Sequence, residues 1–399
     1  MMNRLYRNIK VFKQAALPLL TATLVLLLSA CRTDDTIVYM ENEDTGIAVG
    51  HTSVAGMYVL NEGNMGSNKC TLDYLDLSDS TVHYLRNIYA ERNPNEVKEL
   101  GDVGNDVKIY GSRLWLVINC SNKVEVCRAT DAVKIGKVNI PNCRYVTFDG
   151  GYAYVSSYVG PVAVGSDAPR GMVYKVDTLT LQKVDSCVVG YQPEELVACH
   201  GRLYVANSGG YNPPDYDSSV SVVNLKTMQQ ERQVDVAVNL HHLRLDRYNQ
   251  LWVTSRGNYG EASSNLYCLR IAEDGEPILT ETMNVEVSDL CIVGDSLYYY
   301  GVGWNQETQK NTRSFGIINV RTHQVVTDTL STAPELAKMR MPYGIIVNER
   351  NRDFYLMDAK NYVSSGELLH FHADGSFDYK VKTGDIPAHA AFLYKAREE

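Results

Sequence analysis

Hydrophobic and polar positions alternate along this chain in short runs. In the stretch from Gly201 to Gly210, Leu203, Val205 and Asn207 fall on one face while Tyr204 and Ala206 fall on the other, and a period of two is that of a β-strand. The same unit, an aromatic residue followed by one or two apolar residues and a small polar one, recurs around Tyr58, Trp115, Tyr154, Trp252, Tyr298 and Tyr355. Seven copies spaced on average about 50 residues apart match the period of a β-propeller blade, not that of a helical array or a leucine-rich horseshoe. Further alternating runs, such as Ser219 to Val223 and Phe315 to Val320, are separated by Gly, Asn, Asp and Ser turns. A β-sandwich needs no sevenfold spacing. The predicted fold is therefore all-β, a seven-bladed β-propeller in one domain over residues 54–395.

The first copy, around Tyr58, has little chain before it to supply an inner strand. Ile386 to Phe392, near the end, resembles the stretches before the Tyr204 and Tyr355 anchors. The last strand is thus predicted to complete the first blade and close the ring, which leaves no free sheet edge there. The seven strand entries also align, placing Asp106, Tyr145, Glu195, His242, Asp289, Gly344 and His389 at equivalent positions. In a propeller these line the mouth of the central channel, facing either ligand or channel water. The loops after the anchor strands open on the same side and carry Asn122, Tyr158, Asn207, Tyr211, Arg256, Asn258, Tyr259, Trp304 and Tyr362, with Tyr343 at a neighbouring strand entry. The Gly and Asn content of these loops equally suits turn formation.

Composition adds a location and a list of exclusions. Arg4, Arg7, Lys10 and Lys13 precede an apolar run from Ala15 to Leu28 and the sequence Leu28-Ser29-Ala30-Cys31. The run is shorter than the roughly 20 residues of a spanning helix. It reads as an export signal over residues 1–30 ending in a lipobox, with Cys31 acylated. Residues 31–53, rich in acidic groups, read as a lipidated flexible tether. Asp34 and Asp35 resemble the acidic signal that sends lipoproteins to the outside of certain outer membranes. Without residues 1–30 the chain has 34 basic and 47 acidic residues, a net charge of −13, and no clustered Lys/Arg, so nucleic acid is excluded as a partner.

Eight cysteines follow Cys31, in a compartment where disulfides persist; Cys120 with Cys143 and Cys187 with Cys199 are topologically plausible pairs. The chain has 27 Tyr against 7 Phe, a bias that suits a contact surface offering apolar area with a polar handle. It has no metal-binding helix motif, no nucleophile elbow and no phosphate-cradling loop. Its histidines are scattered, and a zinc ion needs three or four ligands close together. On these grounds the chain reads as a binder and not an enzyme, with no catalytic residue, no metal and no intrinsic cofactor.

Tyr58-Val59-Leu60-Asn61-Glu62-Gly63-Asn64, Tyr191-Gln192-Pro193-Glu194-Glu195, Leu203 to Tyr211, Pro342-Tyr343-Gly344-Ile345 and Asp358-Ala359-Lys360-Asn361-Tyr362 together resemble the YncE-like, seven-bladed surface lipoproteins of the BtuG type. That resemblance implies capture of cobalamin at the cell surface and delivery to a TonB-dependent outer-membrane transporter. It supplies no individual contacts. The ligand set chosen from position alone is Asn122, Tyr145, Tyr158, Glu195, Asn207, Tyr211, His242, Arg256, Asn258, Tyr259, Trp304, Tyr343, Tyr362 and His389. Tyrosines and Trp304 would cover the flat macrocycle, asparagines would pair with its amide rim, and Arg256 would meet the phosphate. A glycan-binding or scaffolding propeller of an uptake complex, and a propeller enzyme of the lactonase or quinoprotein type, remain as alternatives.

Overall fold

The computed structural model describes residues 41–48, 54–96, 99–160, 164–165, 168–305 and 310–395. Within these, seven antiparallel sheets form seven blades. The export segment, Cys31 and most of the tether lie outside the described residues. Each anchor aromatic sits on the second strand of its blade and is at least nine-tenths buried. The blades pack through seven apolar layers, one between each neighbouring pair. The layer of Val54, Met57, Val59 and Leu75 against Tyr355, Met357, Leu368 and Val381 joins the seventh blade to the first. Alternation explains this arrangement: both faces of every central strand meet a neighbouring blade, so both are apolar.

The C-terminal strand Pro387–Tyr394 pairs antiparallel with Val54–Asn61, from Val54 against Tyr394 to Asn61 against Pro387. It supplies the innermost strand of the first blade, as the sequence predicts. Glu41–Ala48 departs from the tether reading, since it pairs with Thr81–Arg86 as an added fifth strand. Its acidic side chains face solvent or basic partners, Glu41 meeting Arg86, so an edge strand of this composition keeps the charge that repels further strands. The eight cysteines of the described residues are free thiols, including both plausible pairs. Cys143 instead donates to the carbonyl of Lys123 at 3.3 Å, and burial pushes its thiol up to about 12.

Side chains clip adjacent blades at their outer turns. Tyr58 Oη donates to the Ala129 carbonyl at 2.8 Å and Tyr204 Oη to that of Gly275 at 3.0 Å, both buried. Tyr204→Phe leaves that carbonyl without its donor, so denaturant unfolding should show a loss of about 1 kcal/mol with the m-value unchanged.

Candidate functional site

The mouth of the channel is built from the first residues of the innermost strands. These strands are Pro387–Tyr394, Gly104–Tyr110, Cys143–Asp149, Pro193–Cys199, Leu240–Leu245, Asp289–Val293 and Pro342–Val347. In six of them the pairing register slips near this end, and such an irregularity re-aims a side chain that strict alternation would send elsewhere. Two consecutive residues then engage the channel instead of one. Arg144 and Tyr145, like His241 and His242, line the same cavity. Glu194 and Glu195 each bind channel-lining groups. Gly344 takes its place in the ring because a Cβ there would stand 2.3 Å from the Ala388 carbonyl of the adjacent inner strand.

The cavity measures about 390 Å³ and is walled by Glu62, Arg144, Tyr145, His241, His242, Arg256, Tyr259, Tyr300, Tyr343, Tyr362 and His389, among others. Its floor on one side is an ion cluster around Glu194, which is 1% exposed. Arg144 reaches this carboxylate through Nε and a terminal nitrogen, each at 3.0 Å. Arg256 reaches it at 3.0 Å and Tyr158 Oη donates to it at 2.6 Å. The Arg144 guanidinium also lies 4.9 Å from the centre of the Tyr158 ring, close enough for a cation–π contact. Burial acts to raise the Glu194 pKa, but the two guanidinium charges outweigh it and hold the carboxyl at about 2. One carboxylate thus serves two cations, and the cluster carries a net positive charge into the cavity wall.

Tyr145 crosses the mouth. Its hydroxyl is 2.8 Å from His241 Nε2, and its ring meets those of His242 and His389 edge-on. Burial first, then the nearby Arg256 and His242, push the His241 pKa well below its ordinary value, so its imidazole is neutral at pH 7. Deeper in the channel, Glu195 accepts from His242 Nδ1 at 3.0 Å and pairs with Arg244, with Lys108 at 3.5 Å. His242 Nε2 stands 3.5 Å from Asp289. This layer separates the mouth from a second cavity of about 320 Å³ further along the inner strands.

The positions chosen from sequence fall in different places. Tyr145, His242, Arg256, Tyr259, Tyr343, Tyr362 and His389 all line the mouth cavity. Tyr343 donates to Glu62 at 3.3 Å and packs edge-on against Tyr362, while Tyr259 is 73% exposed at the rim. Tyr158 and Glu195 lie buried beneath, committed to Glu194 and to His242, and Tyr211 stands at the rim edge-on to Tyr158. The asparagines serve the fold. Asn122 holds a left-handed turn and accepts from the Asn142 amide, Asn207 is buried and donates to Ser219 and Ser221, and Asn258 accepts from the amides of Gly260 and Ala262. Trp304 is the last residue but one of the strand Ser296–Asn305, and its side chain lies outside the described residues. The ligand set chosen from sequence leaves out the wall or floor residues Arg144, Glu194, His241, Glu62 and Tyr300, although His241 and Glu62 stand in stretches that the sequence places at the mouth. For the first three the signal was available: each immediately precedes a ring position, and all are polar.

No protein-family model matches this chain, and no curated protein matches it. Among solved structures it is similar to a candidate 6-phosphogluconolactonase from Bacteroides fragilis NCTC 9343, with a TM-score of 0.59, 10% identity and coverage of 86% of this chain and 99% of the other. It is similar to a quinoprotein alcohol dehydrogenase-like protein from Bacteroides thetaiotaomicron VPI-5482, with a TM-score of 0.53, 11% identity and coverage of 86% and 79%. A third likeness is to the hydrazine synthase of Kuenenia stuttgartiensis, with a TM-score of 0.55, 15% identity and coverage of 72% and 89%. These neighbours correct the reading of the chain as a binder and not an enzyme. Their names are those of enzymes, so this architecture gives no ground for excluding catalysis. At such identities the likeness establishes a seven-bladed β-propeller and nothing finer.

Proposed function

We propose that this propeller captures a corrinoid at its channel mouth and, anchored through Cys31, passes it to a TonB-dependent outer-membrane transporter. The observation that carries the reading is the gathering of Tyr211, Tyr259, Tyr343 and Tyr362 around the Arg144 and Arg256 pair on one side of the ring. A ligand larger than the 390 Å³ cavity rests across the rim with one arm inserted. Exposed aromatic faces suit a flat macrocycle, and Arg256, whose side chain keeps 31% of its exposure, suits the nucleotide phosphate. Because Asn122, Asn207 and Asn258 are committed to their own turns and strands, the amide rim would be met by tyrosine hydroxyls and His241.

Calorimetric titration with cyanocobalamin tests the reading. Binding should be saturable, and Tyr259→Ala should weaken it roughly tenfold, the loss of one aromatic anchor, without moving the thermal midpoint, since Tyr259 is exposed. No heat and no spectral change at micromolar protein would retire the proposal.

A second reading is favoured by one specific contact, the 2.8 Å pairing of neutral His241 with Tyr145 beside two guanidiniums. An imidazole so placed can move a proton, and the arginines suit an anionic substrate such as a phosphosugar lactone. Turnover of 6-phosphogluconolactone that disappears in His241→Gln would support it; rates equal to the uncatalysed reaction would remove it.

A further inference from the structure

A separate cluster lies on the opposite face of the seventh blade. The second strand Phe354–Asp358 ends at the mouth, so Asp353, just before it, sits at the far end. His370 belongs to the third strand Ser365–Phe371, His372 follows that strand's end, and Asp378 belongs to the fourth strand Phe377–Asp385. His370 is 5% exposed and is held between the Tyr355 and Tyr379 rings, with centroids at 4.5 and 4.8 Å.

The hydrogen bonding around His370 is incomplete in a telling way. Its Nδ1 lies 3.0 Å from Asp378 Oδ2, a contact that in a neutral imidazole takes the ring's single N–H. Its Nε2 then presents a lone pair. That atom is buried without a hydrogen-bond partner and stands 3.5 Å from Asp353 Oδ2, which also presents lone pairs. Asn351 and the Ala373 amide fix the Asp353 carboxylate at 2.7 and 3.1 Å. His372 Nδ1 approaches the same Oδ2 at 3.8 Å, and the donor atoms of Asp353, His370 and His372 all lie within 4.8 Å of one another. Lone pairs converging on a buried imidazole nitrogen call for a cation among them.

We propose that Asp353, His370 and His372 bind a first-row divalent transition ion of the zinc class. Donors about 2.0–2.2 Å from a tetrahedral ion stand roughly 3.3–3.6 Å apart, so the observed separations close onto an ion with small side-chain shifts. Two imidazoles and a carboxylate form a donor set suited to such ions and not to calcium or magnesium, which take oxygen ligands. Asp378 orients His370 through the other ring nitrogen, as an outer-shell carboxylate does at histidine metal sites. A water would complete the coordination. The ion would tie the second strand of the last blade to its third and fourth.

The test uses the full chain stripped with chelator and titrated with Co²⁺, then Zn²⁺. The proposal expects one equivalent of Co²⁺ with visible absorption of tetrahedral intensity, its displacement by Zn²⁺, and a higher thermal midpoint in Zn²⁺. His372→Ala, at a half-exposed position, should fold and lose affinity by more than tenfold, and Asp378→Asn by roughly 10–100-fold. Leu279→Ala, at an exposed position on the strand Pro277–Thr282 of another blade, should bind Co²⁺ like the unaltered chain. Absence of both the absorption band and the midpoint rise, or a His372→Ala variant with undiminished affinity, would overturn the site.

Discussion

Deleting the chain from Ile386 onward should abolish cooperative unfolding altogether. The strand Pro387–Tyr394 supplies seven registered partners to Val54–Asn61. The carbonyl of Ile386 also receives the amide of Glu62 at 2.8 Å. At about 0.5–1.5 kcal/mol for each hydrogen bond lost, with apolar cover removed from the first blade as well, the deficit rivals the roughly 5–15 kcal/mol that holds a whole domain together. The unpaired edge of Val54–Asn61 would also invite aggregation. Circular dichroism during urea titration reads the outcome directly. A truncated chain with a sharp transition at the original midpoint would mean that the ring closes without its last strand.

Glu194→Gln should be the most damaging single substitution in the mouth. It leaves Arg144, whose side chain is 15% exposed, without its carboxylate partner, and breaking a buried ion pair from one side costs about 3–5 kcal/mol. Removing Arg256 should cost less, because Arg144 still neutralises the carboxylate through two contacts. The same cluster sets an acid limit. Since the folded carboxyl titrates at about 2, below its ordinary value, its stabilising contribution is complete above roughly pH 4.5 and is lost as pH falls toward 2. Unfolding midpoints measured from pH 5 to pH 2 should therefore fall more steeply in the unaltered chain than in Glu194→Gln. Parallel profiles would show that Glu194 is not the group responsible.

Much of the fold was legible because the propeller repeats its physics. Every blade buries an aromatic residue on its second strand, so Tyr58, Trp115, Tyr154, Tyr204, Trp252, Tyr298 and Tyr355 record the blade count and order directly. The closing strand was legible because it must resemble the inner strands it joins. What strict alternation hid was part of the mouth. A reading with period two gives each inner strand one channel residue, whereas a slipped register brings in a second, and Arg144 and Glu194 are the hidden members. The asparagines misled for a related reason: an Asn at a strand end satisfies local backbone and side-chain groups before it can serve a ligand, as Asn258 and Asn207 do. Glu41–Ala48 was unreadable as a strand because its pairing depends on an exposed blade edge and not on an apolar face of its own.

Amide hydrogen exchange of the full chain with and without cyanocobalamin tests the central claim, that ligand sits on the face bearing the arginine pair. Slowed exchange confined to the segments around Arg256–Tyr259, Tyr343 and Tyr362 is the predicted result. Protection restricted to the face of Asp353 and His372, or none at saturating ligand, would contradict it.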